Sequence, residues 1–216
     1  MRVILLESAR RLAAPRVRTK PLARGRRRDQ SARSPFRSGG TVSQPPAAVP
    51  VHPGTRIGHV HLKVADIERS LAFYCGVLGF TLMQRYGPGA AFVSAGGYHH
   101  HIGLNTWESR GGPPPPPGST GLYHVAILYP TRAALADALR RLIAARIPLQ
   151  GASDHGVSEA LYLEDPDGNG IELYRDRPEA DWPREPNGGL SMVTAALDLE
   201  GLLAEPEEGA AGGAAR

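Results

Sequence analysis

Between residues 56 and 177 the spacing of apolar positions runs through one cycle of changes and then repeats it. Ile57-Gly58-His59-Val60-His61-Leu62-Lys63-Val64 alternates apolar and polar side chains, the period of a half-buried strand. The period then widens. Ile67, Leu71, Phe73, Tyr74 and Leu78 recur at helical spacing behind Asp66, a capping residue, and Gly79 ends the run. Phe80 to Tyr86 and Ala91 to Ser94 read as strands around the turn Gly87-Pro88-Gly89, and His99 to Thr106 as a fourth. After a Gly/Pro connection from Gly111 to Gly118, the cycle starts again with Leu122 to Tyr129. Thr131 caps a helix through Arg146, and Pro148 breaks it. Pro148 to Ala152, Ala160 to Glu164 and Ile171 to Tyr174 follow as strands, the last two joined by the turn-rich Asp165-Pro166-Asp167-Gly168-Asn169-Gly170. The pattern predicts an α+β fold with βαβββ written twice, over 56–110 and 119–177. An open sheet cannot bury its own face, so the two modules are expected to pair.

The flanks lack such periodicity. Residues 1–40 hold twelve Lys/Arg against Glu7 and Asp29, a local charge of +10, so the whole-chain +4 leaves −6 for the other 176 residues. The basic balance therefore belongs to a tail that cannot offset its ordering entropy, and it does not argue for a nucleic-acid partner. Arg outnumbers Lys 23 to 2, as in GC-rich coding, and the tail is expected to be upstream sequence read from a misassigned start; a transit peptide and a nucleic-acid arm are the alternatives. Residues 1–55 form this tail and a proline-rich linker, and 178–216 an extension expected to wrap the domain or a partner subunit, which would make a homodimer. No apolar run reaches the roughly 18 residues of a membrane span. The single cysteine, Cys75, sits at a core-like helical position and leaves a reducing cytoplasm as the expected setting.

Candidate chemistry follows the repeat. His59 and His124 stand at the start of matching strands 65 residues apart, and Glu172 lies in the last strand. Two imidazoles and one carboxylate on rigid strands make the facial triad that suits a non-haem Fe(II) ion with open positions. The same set accepts Mn or Zn.

The stretches His59 to Asp66, Ser70 to Tyr74, Val77 to Phe80 and Tyr162 to Leu173 resemble the vicinal-oxygen-chelate superfamily, which includes glyoxalase I, extradiol dioxygenases and bleomycin-resistance proteins. Tyr98 to Trp107 and Asp154 to Ala160 are most similar to its catechol-2,3-dioxygenase-like branch. The resemblance implies paired sheets forming a cup around a metal held by His59, His124 and Glu172. Glyoxalase-like members add a glutamate late in the first module, where this chain has His100 to Thr106 and only Glu108 nearby. Three ligands leave room for a chelating catecholate and dioxygen, which favours an oxygenase.

The resemblance further implies catalytic roles for His101, with His99 as rival, and for Tyr162, ten residues before Glu172. His155 is a weaker match, because Ser153 holds the expected histidine position. His61 shares the inward face of the first strand with His59. The expected function is Fe(II)-dependent extradiol cleavage of a catechol-like substrate with O2. The alternatives are an isomerase or lyase using Zn, Ni, Mn or Co, and a metal-free binding protein.

Overall fold

A computed structural model describes residues 49–207; the basic tail and most of the linker lie outside the described residues, as does the last stretch of the extension. From Gly58 onward the described residues belong to one compact unit. Val49 to Ile57 belong to a second, in which Thr55 N–H donates to the His52 carbonyl at 2.9 Å.

Module one comprises β1 (Val60–Lys63), α1 (Ile67–Tyr74), β2 (Thr81–Tyr86), β3 (Ala90–Ser94) and β4 (Ile102–Asn105), with sheet order β1-β4-β3-β2. Module two comprises β5 (Val125–Leu128), α2 (Arg132–Ala144), β6 (Gly151–Asp154), β7 (Ser158–Glu164) and β8 (Gly170–Asp176). β9 (Ala195–Ala196), from the extension, joins the edge of this second sheet to give β5-β8-β7-β6-β9. Both sheets are mixed. β1 runs parallel to β4 and β5 parallel to β8, while the other pairings are antiparallel. The fold is α+β with βαβββ modules, as the periodicity predicts.

Local sequence explains the boundaries. Asp66 accepts from Arg69 N–H at 2.8 Å and Thr131 from Ala134 N–H at 3.0 Å, so each crossover helix starts at the predicted cap. Both helices press apolar stripes onto one shared core, which also holds Leu62, Val93, Leu104, Leu161, Ile171 and Leu173 from the two sheets. Cys75 packs against this core, where burial raises its thiol above the ordinary value. β1, β4 and β5 are shorter than predicted, while β3, β7 and β8 are longer. His59 precedes β1, and His99 to His101 precede β4, because the β1–β4 ladder begins only at the pair Val60 and Ile102.

A buried polar joint ties the modules together. Asp165 Oδ1 accepts from the backbone N–H groups of Asp167 and Asn169 at 2.8 and 2.9 Å, which closes the predicted turn. Its Oδ2 accepts from Tyr74 OH at 2.9 Å, on helix α1 of the other module. Asp167 Oδ1 receives Ala65 N–H at 3.0 Å and Arg69 Nη2 at 2.5 Å.

The extension wraps the second module. Leu202, on α3 (Leu199–Leu203), is fully buried, and Arg132 reaches Glu205 Oε1 at 2.5 Å and the Gly201 carbonyl at 3.1 Å. Buried Glu159 pairs with Arg132, Arg175 and Arg177, at 3.0, 2.8 and 3.3 Å. Among the described residues no helix is long and apolar enough to cross a membrane.

Candidate active site

Glu172 and Tyr162 are brought together by strand register. They face each other across the β7–β8 ladder, while their neighbours Ile171, Leu173, Leu161 and Leu163 point into the core. Alternation therefore turns Glu172 and Tyr162 to the opposite face. His124 arrives at the start of β5, one residue before the pair Val125 and Ile171. Gly170 makes that approach possible, since a Cβ there would fall 2.0 Å from the Tyr123 carbonyl and 3.1 Å from His124 Cα.

The side chains then form a continuous polar chain. His124 Nε2 lies 2.9 Å from Glu172 Oε2, and Tyr162 OH donates to Glu172 Oε1 at 3.0 Å. His155 Nε2 lies 2.8 Å from Tyr162 OH, and His155 Nδ1 lies 2.8 Å from the Val193 carbonyl. A carbonyl only accepts, so Nδ1 carries a hydrogen and donates it. A neutral imidazole with its hydrogen on Nδ1 leaves Nε2 as an acceptor, so the one Tyr162 hydrogen serves either Glu172 Oε1 or His155 Nε2. Burial, with the bond to Glu172, pushes the Tyr162 phenol well above the ordinary tyrosine value and keeps it protonated.

His124, His155 and Tyr162 line an open cavity of about 590 Å³ together with Leu122, Tyr123 and Thr194. Its size suits a small aromatic ligand, within the roughly 300–1,000 Å³ of small-molecule sites. Thr194 and the Val193 carbonyl come from the extension, and sequence reading missed both. The segment has no periodicity that would have marked it.

The histidines of module one gather elsewhere. His59 is exposed, its ring 4.4 Å from that of His100 and 6.4 Å from that of His99. His100 also lies over Phe92 at 5.0 Å, while the His101 backbone bonds to Val60 and Val93, each at 3.0 Å. His101 Nδ1 meets Ser94 Oγ at 2.9 Å and Ala95 N–H at 3.3 Å, and its ring lies 4.9 Å from that of Tyr98. His61 lines this face beside Phe92 and Trp107, at 5.9 and 5.5 Å, above Gly103, which leaves no room for a Cβ under the ring. Burial, and then the neighbouring His59, hold His61 below the ordinary histidine value. Burial, again followed by His59, does the same for His100. Glu108, the candidate fourth ligand of glyoxalase-like proteins, is an exposed partner of Lys63 at 2.5 Å.

His124 and Glu172 offer two protein donors, but among the described residues no three of His, Cys, Asp and Glu converge as a metal site. His59 stays with the imidazoles of module one. Among the described residues, then, His124 and Glu172 are the two donors that meet, and His59 does not join them.

Two βαβββ modules, with imidazole, phenol and carboxylate projecting from one face of a sheet, define the vicinal-oxygen-chelate class of fold. The chain belongs to the Glyoxalase/Bleomycin resistance protein/Dioxygenase superfamily, whose profile matches residues 56–173. It is 46% identical over 156 residues to the catechol-2,3-dioxygenase of Bacillus subtilis (strain 168), covering 72% of this chain and 53% of that protein. It is 33% identical over 125 residues to biphenyl-2,3-diol 1,2-dioxygenase 3 of Rhodococcus globerulus, covering 56% and 63%. The chain thus spans roughly half to three-fifths of the length of these relatives. A glyoxalase/dioxygenase from Nostoc punctiforme shares the fold, with a TM-score of 0.51 at 20% identity over 61% of this chain and 99% of that one.

Proposed function

We propose that this protein is a metal-dependent extradiol ring-cleaving dioxygenase for a catechol-like substrate, with Fe(II) as the working metal, His124 and Glu172 as the donors that meet, and His59 as the third donor expected from the repeat. The observation that carries the reading is the chain His155–Tyr162–Glu172–His124, of which His155, Tyr162 and His124 line a cavity of aromatic size. The similarity to two dioxygenases acting on vicinal diols supports the substrate class. Mn, Zn, Ni or Co are the other ions such donors take, and a lyase or isomerase is the reading that would go with them.

The chain's own residues supply binding and proton transfer. Leu122 and Tyr123 give the cavity apolar surface against which an aromatic ring can lie. A catechol must give up hydroxyl protons before its ring opens, and the product must regain one. Tyr162 OH, between Glu172 Oε1 and His155 Nε2, stands where a proton can pass between the substrate and His155. The Val193 carbonyl fixes the His155 ring so that Nε2 faces the phenol. His101, its ring held by Ser94, is the candidate acid–base group on module one.

The test is anaerobic purification, loading with Fe(II), and exposure to a panel of catechols in an oxygen electrode, with the yellow ring-fission product followed optically. Oxygen consumption matched by product is expected with at least one catechol. Turnover of a non-aromatic substrate without oxygen would instead assign the protein to the lyase or isomerase reading.

A further inference from the structure

We infer that Glu164 makes this cavity selective for catechols whose ring carries a basic side chain, with an ammonium group a short reach from the diol, over catechols whose side chain is acidic. The inference rests on the catechol reading above and narrows its substrate class. It starts from strand register. Glu164 lies two residues beyond Tyr162 on β7, so alternation turns both to the same face, and both line the cavity. Two residues along a strand span about 7 Å, comparable to a catechol ring with a short side chain.

The fixed charge at that point has one sign. Glu164 is exposed on the cavity wall, and among the described residues no cation or hydrogen-bond donor engages its carboxylate. Neither Lys nor Arg is among the residues that line the cavity. Its two imidazoles already have partners, His124 in Glu172 and His155 in Tyr162. A carboxylate on the substrate side chain would therefore stand beside Glu164 with no counter-charge of its own. An ammonium group there would gain Glu164 as its partner.

An aromatic residue stands at the same corner. Glu164 is the ladder partner of Gly170 on β8, and the Tyr123 backbone passes directly over Gly170. The Tyr123 side chain lines the cavity and is 90% exposed, so its ring is open to a ligand. A carboxylate attracts an ammonium group by charge, and a phenol ring attracts it through its electron-rich face. Both groups thus suit the same ligand. Gln150, Ser153 and Thr194 line other parts of the wall and are uncharged, which leaves discrimination by charge to Glu164.

The experiment compares the aminoethyl, hydroxyethyl and carboxymethyl derivatives of catechol, whose side chains are of similar length. Their binding to the Fe(II)-loaded full chain is measured by calorimetry without oxygen, so that affinity is read apart from turnover. An exposed charge pair changes an affinity by about two- to fivefold, so the aminoethyl derivative should bind tighter than the hydroxyethyl one by that factor. The carboxymethyl derivative should bind more weakly than the hydroxyethyl one by a similar factor. Glu164→Gln should bring the three together and Glu164→Lys should invert the order, with kcat for unsubstituted catechol and the circular dichroism of each variant as in wild type. Added salt should narrow the wild-type preference and leave Glu164→Gln unaffected. A wild-type order that survives in Glu164→Gln, or a carboxymethyl derivative that binds wild type as tightly as the aminoethyl one, would overturn the inference and leave the catechol reading standing. Failure of the aminoethyl derivative to bind while catechol itself turns over would do the same. No binding of any derivative and no turnover of catechol would overturn both.

Discussion

Tyr162 has the clearest individual test. Tyr162→Phe keeps the ring and removes the hydroxyl that bridges Glu172 and His155. A positioned proton-transfer group contributes about 10²–10⁴-fold in rate, so turnover should fall within that range while metal content stays unchanged; steady-state kinetics beside metal analysis checks both. His101→Ala should follow the same pattern. Tyr74 gives a pH prediction. Burial, then its contact with Asp165, raises its phenol far above the ordinary value, so the folded state keeps this proton where the unfolded chain releases it. Its contribution is complete below about pH 10 and is lost as pH rises beyond that. Thermal melts between pH 8 and 11 should therefore show wild type losing stability more steeply than Tyr74→Phe. At this scale the sequence was informative about identity and less so about contact. Repeat positions marked His124 and Glu172, and they do meet. His155 stands two residues from its expected place, yet the loop carries it to Tyr162. His59 carries the same signal as His124, but its neighbours are set by how the modules pack, which spacing along the chain does not encode.

Among the elements, the extension deserves a direct test because it holds His155 as well as covering the core. Val193 N–H donates to the His155 carbonyl at 3.1 Å, and the Val193 carbonyl receives Nδ1. Val193→Pro removes that donor and should loosen the strap. The expected outcome is a change in the ¹⁵N signals of the His155 ring, with kcat falling more than KM rises. Leu202→Ala, on the same extension but away from the ring, should cost about 2–5 kcal/mol of stability and leave those signals in place. Period and caps made helices α1 and α2 and most strands legible, because each of those signals is local. β9 was not, since two alanines become a strand only when β6 offers its edge. The run His99 to His101 was read as strand from composition, but pairing with β1 and β3 decides where β4 begins.

For the whole molecule, the unit that begins at Gly58 has its own apolar core and a joint between its modules. Deleting residues 1–54 should leave the melting temperature and metal content within experimental error of the full chain, as measured by calorimetry and metal analysis. The paired-module plan was legible because the same sequence of periods is written twice. The most direct measurement of the central claim is the fate of labelled dioxygen. Iron-loaded protein turning over a catechol under ¹⁸O2 should place both labelled oxygen atoms in the ring-opened product, read by mass spectrometry. Product formed at the same rate without oxygen, or free of label, would contradict the account.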